Sequence, residues 1–294
     1  MTGSTEAQAL EAAKIILQVV CAVAIVTNLL VVVVLATTKT LRVKYYGLIF
    51  NLAITDIITS IVAILFQHVP HPVVLSLTGI CFLNEGLNIL AVAVNRLLAL
   101  SINPPARYDA IATSGRMAVV CLLMWGLAFA LTFPFEYLTE NDIGRLVTPI
   151  IVVIIVLLTT VVYVMVFRKI AQYGLSLRAP LPDEAETRMR RDRHLMVTFT
   201  VILAAFAICW IPNIVANLIT HFSGEEFWSG QAVSFRVFFK SSVVILASNA
   251  AINPVIYWGR MEEFRRGLKR LFFCACGKQA TAVDNTETYV ESTL

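Results

Sequence analysis

Two carboxylates stand in segments otherwise fit for hydrocarbon. Glu85 lies inside "ICFLNEGLNILAVAVNRLLAL", residues 80–100, and Asp56 ends "NLAITD" within the apolar run 48–66. A charged side chain in such a setting is costly, and it is kept where it binds an ion, carries a proton or meets buried amides. Asn28, Asn249 and Asn253 place amides in other apolar runs, and Arg96 follows Glu85 by eleven residues. On a helix advancing 100° per residue, Thr78, Glu85 and Arg96 fall within about 20° of one another. Glu85 and Arg96 are then about 16 Å apart along that face.

The elements that must carry these residues are long apolar helices. Of the 294 residues, 58% are apolar and only 14% charged. Soluble domains carry about 25% charged residues. Apolar runs at 15–36, 48–66, 73–101, 117–135, 146–167, 195–219 and 237–257 are each near membrane-spanning length. The expectation is an all-α membrane protein: a seven-transmembrane helix bundle with a short amphipathic eighth helix. Residues 1–14 form a short extracellular amino terminus, 15–258 the bundle, 259–276 an amphipathic surface helix with its cysteines, and 277–294 a disordered cytoplasmic tail. The first run lacks a basic leader and reads as a retained span.

Lys and Arg set the orientation. With the amino terminus outside, only Lys14, Arg145, Arg236 and Lys240 face outward, leaving 19 of 23 on the cytoplasmic side. The net charge of +4 reflects this asymmetry and does not argue for nucleic acid. Cys21, Cys81, Cys121 and Cys209 lie in apolar runs and Cys274 and Cys276 in the tail, so no structural disulfide is expected. "HVPHP" joins the second and third spans, "FEYLTENDIG" the fourth and fifth, and a loop with Pro180 and Pro182 the fifth and sixth. The sixth helix is expected to begin near Glu186. "RMEEFRRGLKRLFF" sets Phe264, Leu268, Leu271 and Phe272 against Arg265, Arg266, Lys269 and Arg270, which suits contact with membrane lipid at the inner leaflet.

The polar residues also fall in a recognisable order. Asn28 is followed by Asp56, by "NRL" with Arg96, by Trp125, by Tyr163, by "FAICWIP" with Phe206, Cys209, Trp210 and Pro212, and by "NAAINPVIY" with Asn249, Asn253, Pro254 and Tyr257. In this order and depth the chain resembles the rhodopsin-like G protein-coupled receptors over residues 15–276. The resemblance implies a plasma-membrane, multi-pass receptor that is not an enzyme. It implies that Arg96 meets a heterotrimeric G protein, that Trp210 and Pro212 form the toggle and hinge of the sixth span, and that Asn253, Pro254 and Tyr257 repack on activation. It makes Asp56 an allosteric sodium ligand, with Asn249 and Asn253 facing the same point. Glu85 then joins that site as a shared cation or proton ligand, unless it is a structural acid hydrogen-bonded to Asn249 or Asn253, or lies against another helix and never meets Asp56. Asp192 lies 20 residues before Pro212, about 30 Å along the helix, and is expected to clamp Arg96 at rest.

Departures from the family pattern carry weight. Asn95 stands where an acid usually precedes the arginine, Leu97 replaces the usual aromatic, and the outer cysteine of the third span is missing, with His71 near that level. Pro149 lies about a turn higher in the fifth span than usual. The missing outer cysteine, a very short second extracellular loop and the unusual fifth span resemble the melanocortin, lipid and cannabinoid receptor cluster. Thr78 stands where amine receptors have an aspartate, and Ala247 where opsins have the retinal lysine, so neither a cationic amine nor retinal is expected. The expected pocket is lined by Gln67, His68, Leu75, Thr78, Trp210, Asn213, Asn217 and Phe239. A lipid, a small carboxylate or a short peptide fits it. Arg145, Arg236 and Lys240 either favour an acidic head group or pair with Glu136, Asp142, Glu225 and Glu226.

Three functions remain open on this reading: a ligand-gated receptor, an ion- or proton-conducting seven-helix protein with Asp56, Glu85, Asn249 and Asn253 lining its path, and a receptor active without ligand. In the tail, Cys274 and Cys276 follow the amphipathic helix and are expected to be S-acylated. The terminal "ESTL" is expected to add a strand to a PDZ domain, with Leu294 in its apolar pocket and Ser292 against its helix.

Overall fold

The computed structural model describes the backbone of residues 2–38, 46–69, 71–102, 105–134, 144–176, 183–230 and 232–275. Side chains are described for these residues except 2–4, 105–106, 109, 144–146, 173–176, 183–196, 224–230, 232–233 and 273–275. Nine helices appear among the described residues: α1 (Thr2–Thr37), α2 (Tyr46–His68), α3 (Pro72–Ser101), α4 (Pro105–Ile111), α5 (Ser114–Phe133), α6 (Gly144–Ser176), α7 (Asp183–Gly230), α8 (Ala232–Arg260) and α9 (Glu262–Ala275). All but α4 and α9 contain a stretch long and apolar enough to cross a membrane, seven in total. The seven-span expectation and its amphipathic addition are both met. Two boundaries differ from the reading of the apolar runs. α1 begins at Thr2, so residues 2–14 continue the first span as helix, and α7 begins at Asp183, just before Glu186. α4 was not expected at all.

Each helix satisfies its own backbone, as hydrocarbon demands. His71 caps α3, its Nδ1 accepting from Val73 N at 3.2 Å, with Pro72 in the first turn where a missing N–H is harmless. Thr113 caps α5 by accepting from Arg116 N. Hydroxyls inside the spans bond back to carbonyls one turn earlier, as Thr55 does to Asn51 O and Ser60 to Asp56 O, both at 2.8 Å.

Packing is inverted relative to a soluble domain. Large apolar side chains such as Leu122, Leu157 and Ile208 are exposed on the rim, while Asn28, Asp56, Asn84, Glu85 and Asn88 are fully buried. α3 packs against α2, α5, α6 and α7 and so holds the centre, and α1 lies against α2 and α8. Asn28 Nδ2 donates to Ala250 O at 2.8 Å and ties α1 to α8. α9 is seated under α1, where a Cβ on Gly267 would stand 2.7 Å from Thr38 Oγ1 and 2.8 Å from Val34 Cγ1. The α8–α9 joint is closed by Arg265, whose Nη1 donates to the carbonyls of Trp258 and Gly259 at 3.3 and 2.8 Å.

Candidate functional site

α3 passes through the bundle centre, so its polar face has no lipid to meet. Glu85 is fully buried and accepts on both oxygens: Thr59 Oγ1 of α2 lies 3.1 Å from Oε1, and Asn249 Nδ2 of α8 lies 3.1 Å from Oε2. Asp56 Oδ2 accepts from Asn253 Nδ2 at 3.0 Å. The two acids are neighbours, because their amide partners Asn249 and Asn253 stand one turn apart on α8. The four residues expected to share a site lie together, and Glu85 has the hydrogen bond to Asn249 that the structural-acid reading calls for. Thr59 completes the set; sequence reasoning passed over it, because one threonine among several in a span carries no sign of direction.

Two neighbouring carboxyl groups cannot both be bare anions in a low-dielectric interior. A proton between them or a cation against them removes the conflict. Among the described residues neither acid has an ion-pair partner. The amide oxygens Asn249 Oδ1 and Asn253 Oδ1 are buried without a hydrogen-bond partner, although each amide nitrogen already touches an acid. A hard cation held by oxygen atoms would need both amides turned over, so that their oxygens replace the nitrogens that now face the acids.

Toward the His68 end, the site is roofed by aromatic rings. Trp210 packs edge-on against Phe82 at 5.6 Å and tilted against Phe206 at 5.9 Å. Gly86, one residue beyond Glu85, makes room for Phe206: a Cβ there would meet its Cζ at 3.3 Å. Pro212 sits inside α7 one half-turn beyond Trp210, where it removes a backbone donor and weakens the ladder that keeps the helix straight. Asn213 and Asn217 lie on α7, the second donating its Nδ2 to the first at 2.9 Å. Among the expected pocket residues, His68 is exposed and meets Gln18 of α1 at 3.4 Å, and Leu75 is 42% exposed. Thr78 donates back to Val74 O at 2.9 Å, Gln67 has both amide atoms buried without a partner, and Phe239 is half-buried on α8. The outer cation Arg236 is paired with Glu6 of α1 at 2.7 Å, a partner the sequence reading did not name. Glu136, Asp142 and the side chains of Arg145, Glu225 and Glu226 lie outside the described residues.

A second polar cluster lies between the acids and Arg96. Asn51 Nδ2 donates to Asn88 Oδ1 at 2.8 Å, and Trp125 Nε1 of α5 donates to Asn51 Oδ1 at 3.2 Å. Asn84 Nδ2 donates to Thr55 Oγ1 at 2.8 Å. These bonds join α2, α3 and α5 in one network.

At the α9 end, Arg96 is 7% exposed and its guanidinium lies 5.6 Å from the centroid of the Phe199 ring on α7. Asn95 does not hold the arginine. Its Oδ1 accepts from Tyr108 of α4 at 2.9 Å. Asp192 falls in α7, but its side chain lies outside the described residues, as do Cys274 as a side chain, Cys276, Ser292 and Leu294. Tyr163 and Tyr257 are buried, neither hydroxyl with a hydrogen-bond partner among the described residues, and Tyr257 leans on Phe264 of α9 at 5.9 Å. Phe199, Tyr108 and α4 went unread in the sequence. A Pro in the first turn of α4 was the one available signal.

Seven apolar helices around a polar interior, with a proline-bearing helix beside a buried arginine, define a helical transmembrane protein of the receptor type. The profile of the 7 transmembrane receptor (rhodopsin family) matches residues 27–257, and the chain belongs to that family. It is a receptor, and its relatives are receptors and not enzymes. It is 23% identical to human adenosine receptor A2b over 84% of this chain and 85% of the relative. It is 26% identical to human lysophosphatidic acid receptor 2, covering 87% and 78% of the two chains. It is 23% identical to rat melanocortin receptor 5, covering 86% and 81%. Relatives named for three different ligands at such similar distances leave the sub-family open.

Proposed function

We propose that the chain is a ligand-gated receptor that activates a heterotrimeric G protein, with its amino terminus outside the cell and α9 on the inner face. The observation that carries this reading is that α7 meets the bundle at both ends of one polar column. The column runs from Trp210 and Phe206, past the acid pair, to Arg96 stacked on Phe199 of the same α7 that Pro212 weakens. A ligand reaching Trp210 favours an outward tilt of α7 only as far as it binds that form better than the resting one. The tilt draws Phe199 from Arg96 and opens a cleft at the α9 end. Asp56 and Glu85 with their amides hold a cation or a proton at rest, and sodium is the family's expectation there.

The ligand enters at the His68 end. With Arg236 engaged by Glu6, the case for an acidic head group rests on Lys240, which is exposed, and on Arg145, whose side chain lies outside the described residues. A lipid, a small carboxylate and a short peptide remain the classes to screen.

Nucleotide exchange on a panel of chimeric G proteins, by full-length receptor in lipid vesicles, tests the coupling. Asn95→Asp is the sharper arm, because a carboxylate there gives Arg96 a fixed counter-charge beside Tyr108. Ligand-free exchange is expected to fall several-fold in Asn95→Asp at matched receptor density. No exchange on any G protein, with or without pooled ligands, would end the reading. Equal ligand-free exchange in both proteins would remove the role given to Asn95.

The tail is proposed to carry acyl groups on Cys274 and Cys276 and to dock a PDZ domain through Ser292 and Leu294. Acyl-exchange signal is expected to vanish in the Cys274→Ala/Cys276→Ala double variant, and PDZ pull-down to vanish when one alanine follows Leu294. Signal or pull-down that persists removes the corresponding site.

A further inference from the structure

The outer ends of α1, α2 and α8 meet at a corner whose polar groups do not satisfy one another. Leu17 and Cys21 of α1, Ala63 of α2 and Ala247 of α8 pack there in one apolar cluster. One turn further out, α2 carries Gln67. Its carboxamide nitrogen and oxygen are both buried, and neither has a hydrogen-bond partner among the described residues. A buried amide left so is costly at both atoms, and what it lacks is one donor and one acceptor side by side.

The same corner carries more positive than negative charge. Arg236 and Lys240 precede Ala247 by eleven and seven residues. They therefore stand about 16 and 10 Å further out on α8, within about 20° of the face that meets α1. Glu6 precedes Leu17 by eleven residues and reaches the level of Arg236, which donates to it at 2.7 Å. Lys240 is exposed and has no ion-pair partner among the described residues. Glu11 is exposed and points about 140° away from Glu6 on its helix. Two cations thus face the seam between α1 and α8, and one acid answers them. The Arg236 side chain is 49% exposed, so its pair with Glu6 is weak and exchangeable.

We infer that this corner binds a ligand whose anionic group, a carboxylate or a phosphate, meets Lys240 and Arg236, and whose adjacent amide or hydroxyl pairs with Gln67. Glu6 is then a tethered competitor, a carboxylate of the chain's own that holds Arg236 until the ligand's anion replaces it. A bare anion would leave Gln67 unsatisfied, and a neutral amide would leave Lys240 unanswered. The inference deepens the ligand-entry reading above and rests on it, but it makes no use of G protein coupling.

The test is equilibrium binding to full-length receptor in neutral detergent, with no G protein, so it can fail while nucleotide exchange succeeds, and the reverse. The probes are tritiated N-dodecanoylglycine, which joins a carboxylate to an amide, and tritiated N-acetylglycine, which lacks the chain. The competitors are dodecanoate, which lacks the amide, and N-dodecanoylethanolamine, which lacks the charge. Saturable binding of one probe per chain is expected: the first alone marks an acidic lipid, and both mark a water-borne acid. Dodecanoate is expected to compete about tenfold more weakly than N-dodecanoylglycine, and the ethanolamide not at all. Gln67→Leu is expected to lower N-dodecanoylglycine to the affinity of dodecanoate and leave dodecanoate unchanged. Lys240→Gln is expected to weaken both acids about fivefold, with Lys240→Arg restoring them, and Glu6→Gln to tighten both about threefold. Lys240 is exposed, so its arm stands even where Gln67→Leu repacks the corner. No saturable binding of either probe overturns the inference. So does an ethanolamide that competes as well as N-dodecanoylglycine, a Gln67→Leu that weakens both acids or neither, or a Glu6→Gln that changes neither affinity.

Discussion

Asn51→Leu is expected to lower the thermal unfolding midpoint by about 5 to 10 °C, the largest stability loss for a single neutral substitution in the bundle. The side chain of Asn51 uses both ends of its amide. Its Nδ2 reaches Asn88 Oδ1 on α3 at 2.8 Å and its Oδ1 takes Trp125 Nε1 on α5 at 3.2 Å. Leucine is apolar and of similar size, so little volume is lost. What is lost is the partner of two groups that cannot turn to water. Each buried group left unsatisfied costs about 1–3 kcal/mol. Interhelical bonds measured in membranes average nearer 0.6 kcal/mol, which sets the lower end of the range. Asn88→Leu should cost less, since it leaves the Trp125 bond standing. Trp125→Phe should cost little once Asn51 is already leucine, because the indole N–H is then absent and not orphaned. Thermal unfolding of the two single variants and the double variant decides this. Additive losses, or an Asn51→Leu midpoint within 1 °C of wild type, would show that the network carries no coupling.

That network also marks the limit of what the sequence conveyed. The spans were legible because about 20 apolar residues in a row admit few other readings. The convergence of Asp56, Glu85, Asn249 and Asn253 was legible in part: the helical wheel set Glu85 on the Arg96 face, and the family order of motifs supplied the other three. The partners were not. Thr59, Asn84 and Asn88 are ordinary polar residues in apolar runs, and only the packing of α3 against α2 turns them toward one another. Glu6 and Arg236 stand 230 positions apart, and their pairing follows from α1 continuing as helix to Thr2, which apolar periodicity alone does not predict. At the α9 end the sequence pointed to Asp192 for Arg96, a pairing that lies outside the described side chains. A cation resting on an aromatic face leaves no opposite charge to read, and Phe199 passed as one more apolar residue of the sixth span.

Phe199→Leu is expected to raise ligand-free signalling, and here the expected change is the largest of any functional variant. Arg96 is 7% exposed and Phe199 4%, so the guanidinium and the ring meet almost without water. A desolvated contact of this kind is worth about 2 kcal/mol. If it exists only in the resting form, losing it shifts the resting-to-active ratio roughly 30-fold, at 1.4 kcal/mol per tenfold. Asn95 adds no opposing charge, since its oxygen is taken by Tyr108. Leucine keeps α7 apolar and separates loss of the ring from loss of packing, while Phe199→Trp keeps a ring face and should stay near wild type. Asp192→Asn isolates the acidic clamp expected from the sequence. If both hold the arginine, the double variant Phe199→Leu/Asp192→Asn should exceed either single one. A fluorophore on the α9 end of α7 reads the helix position directly, so a coupling defect cannot mask the result. The resting contact is structural only if Phe199→Leu matches wild type in both ligand-free exchange and fluorophore signal at equal surface expression.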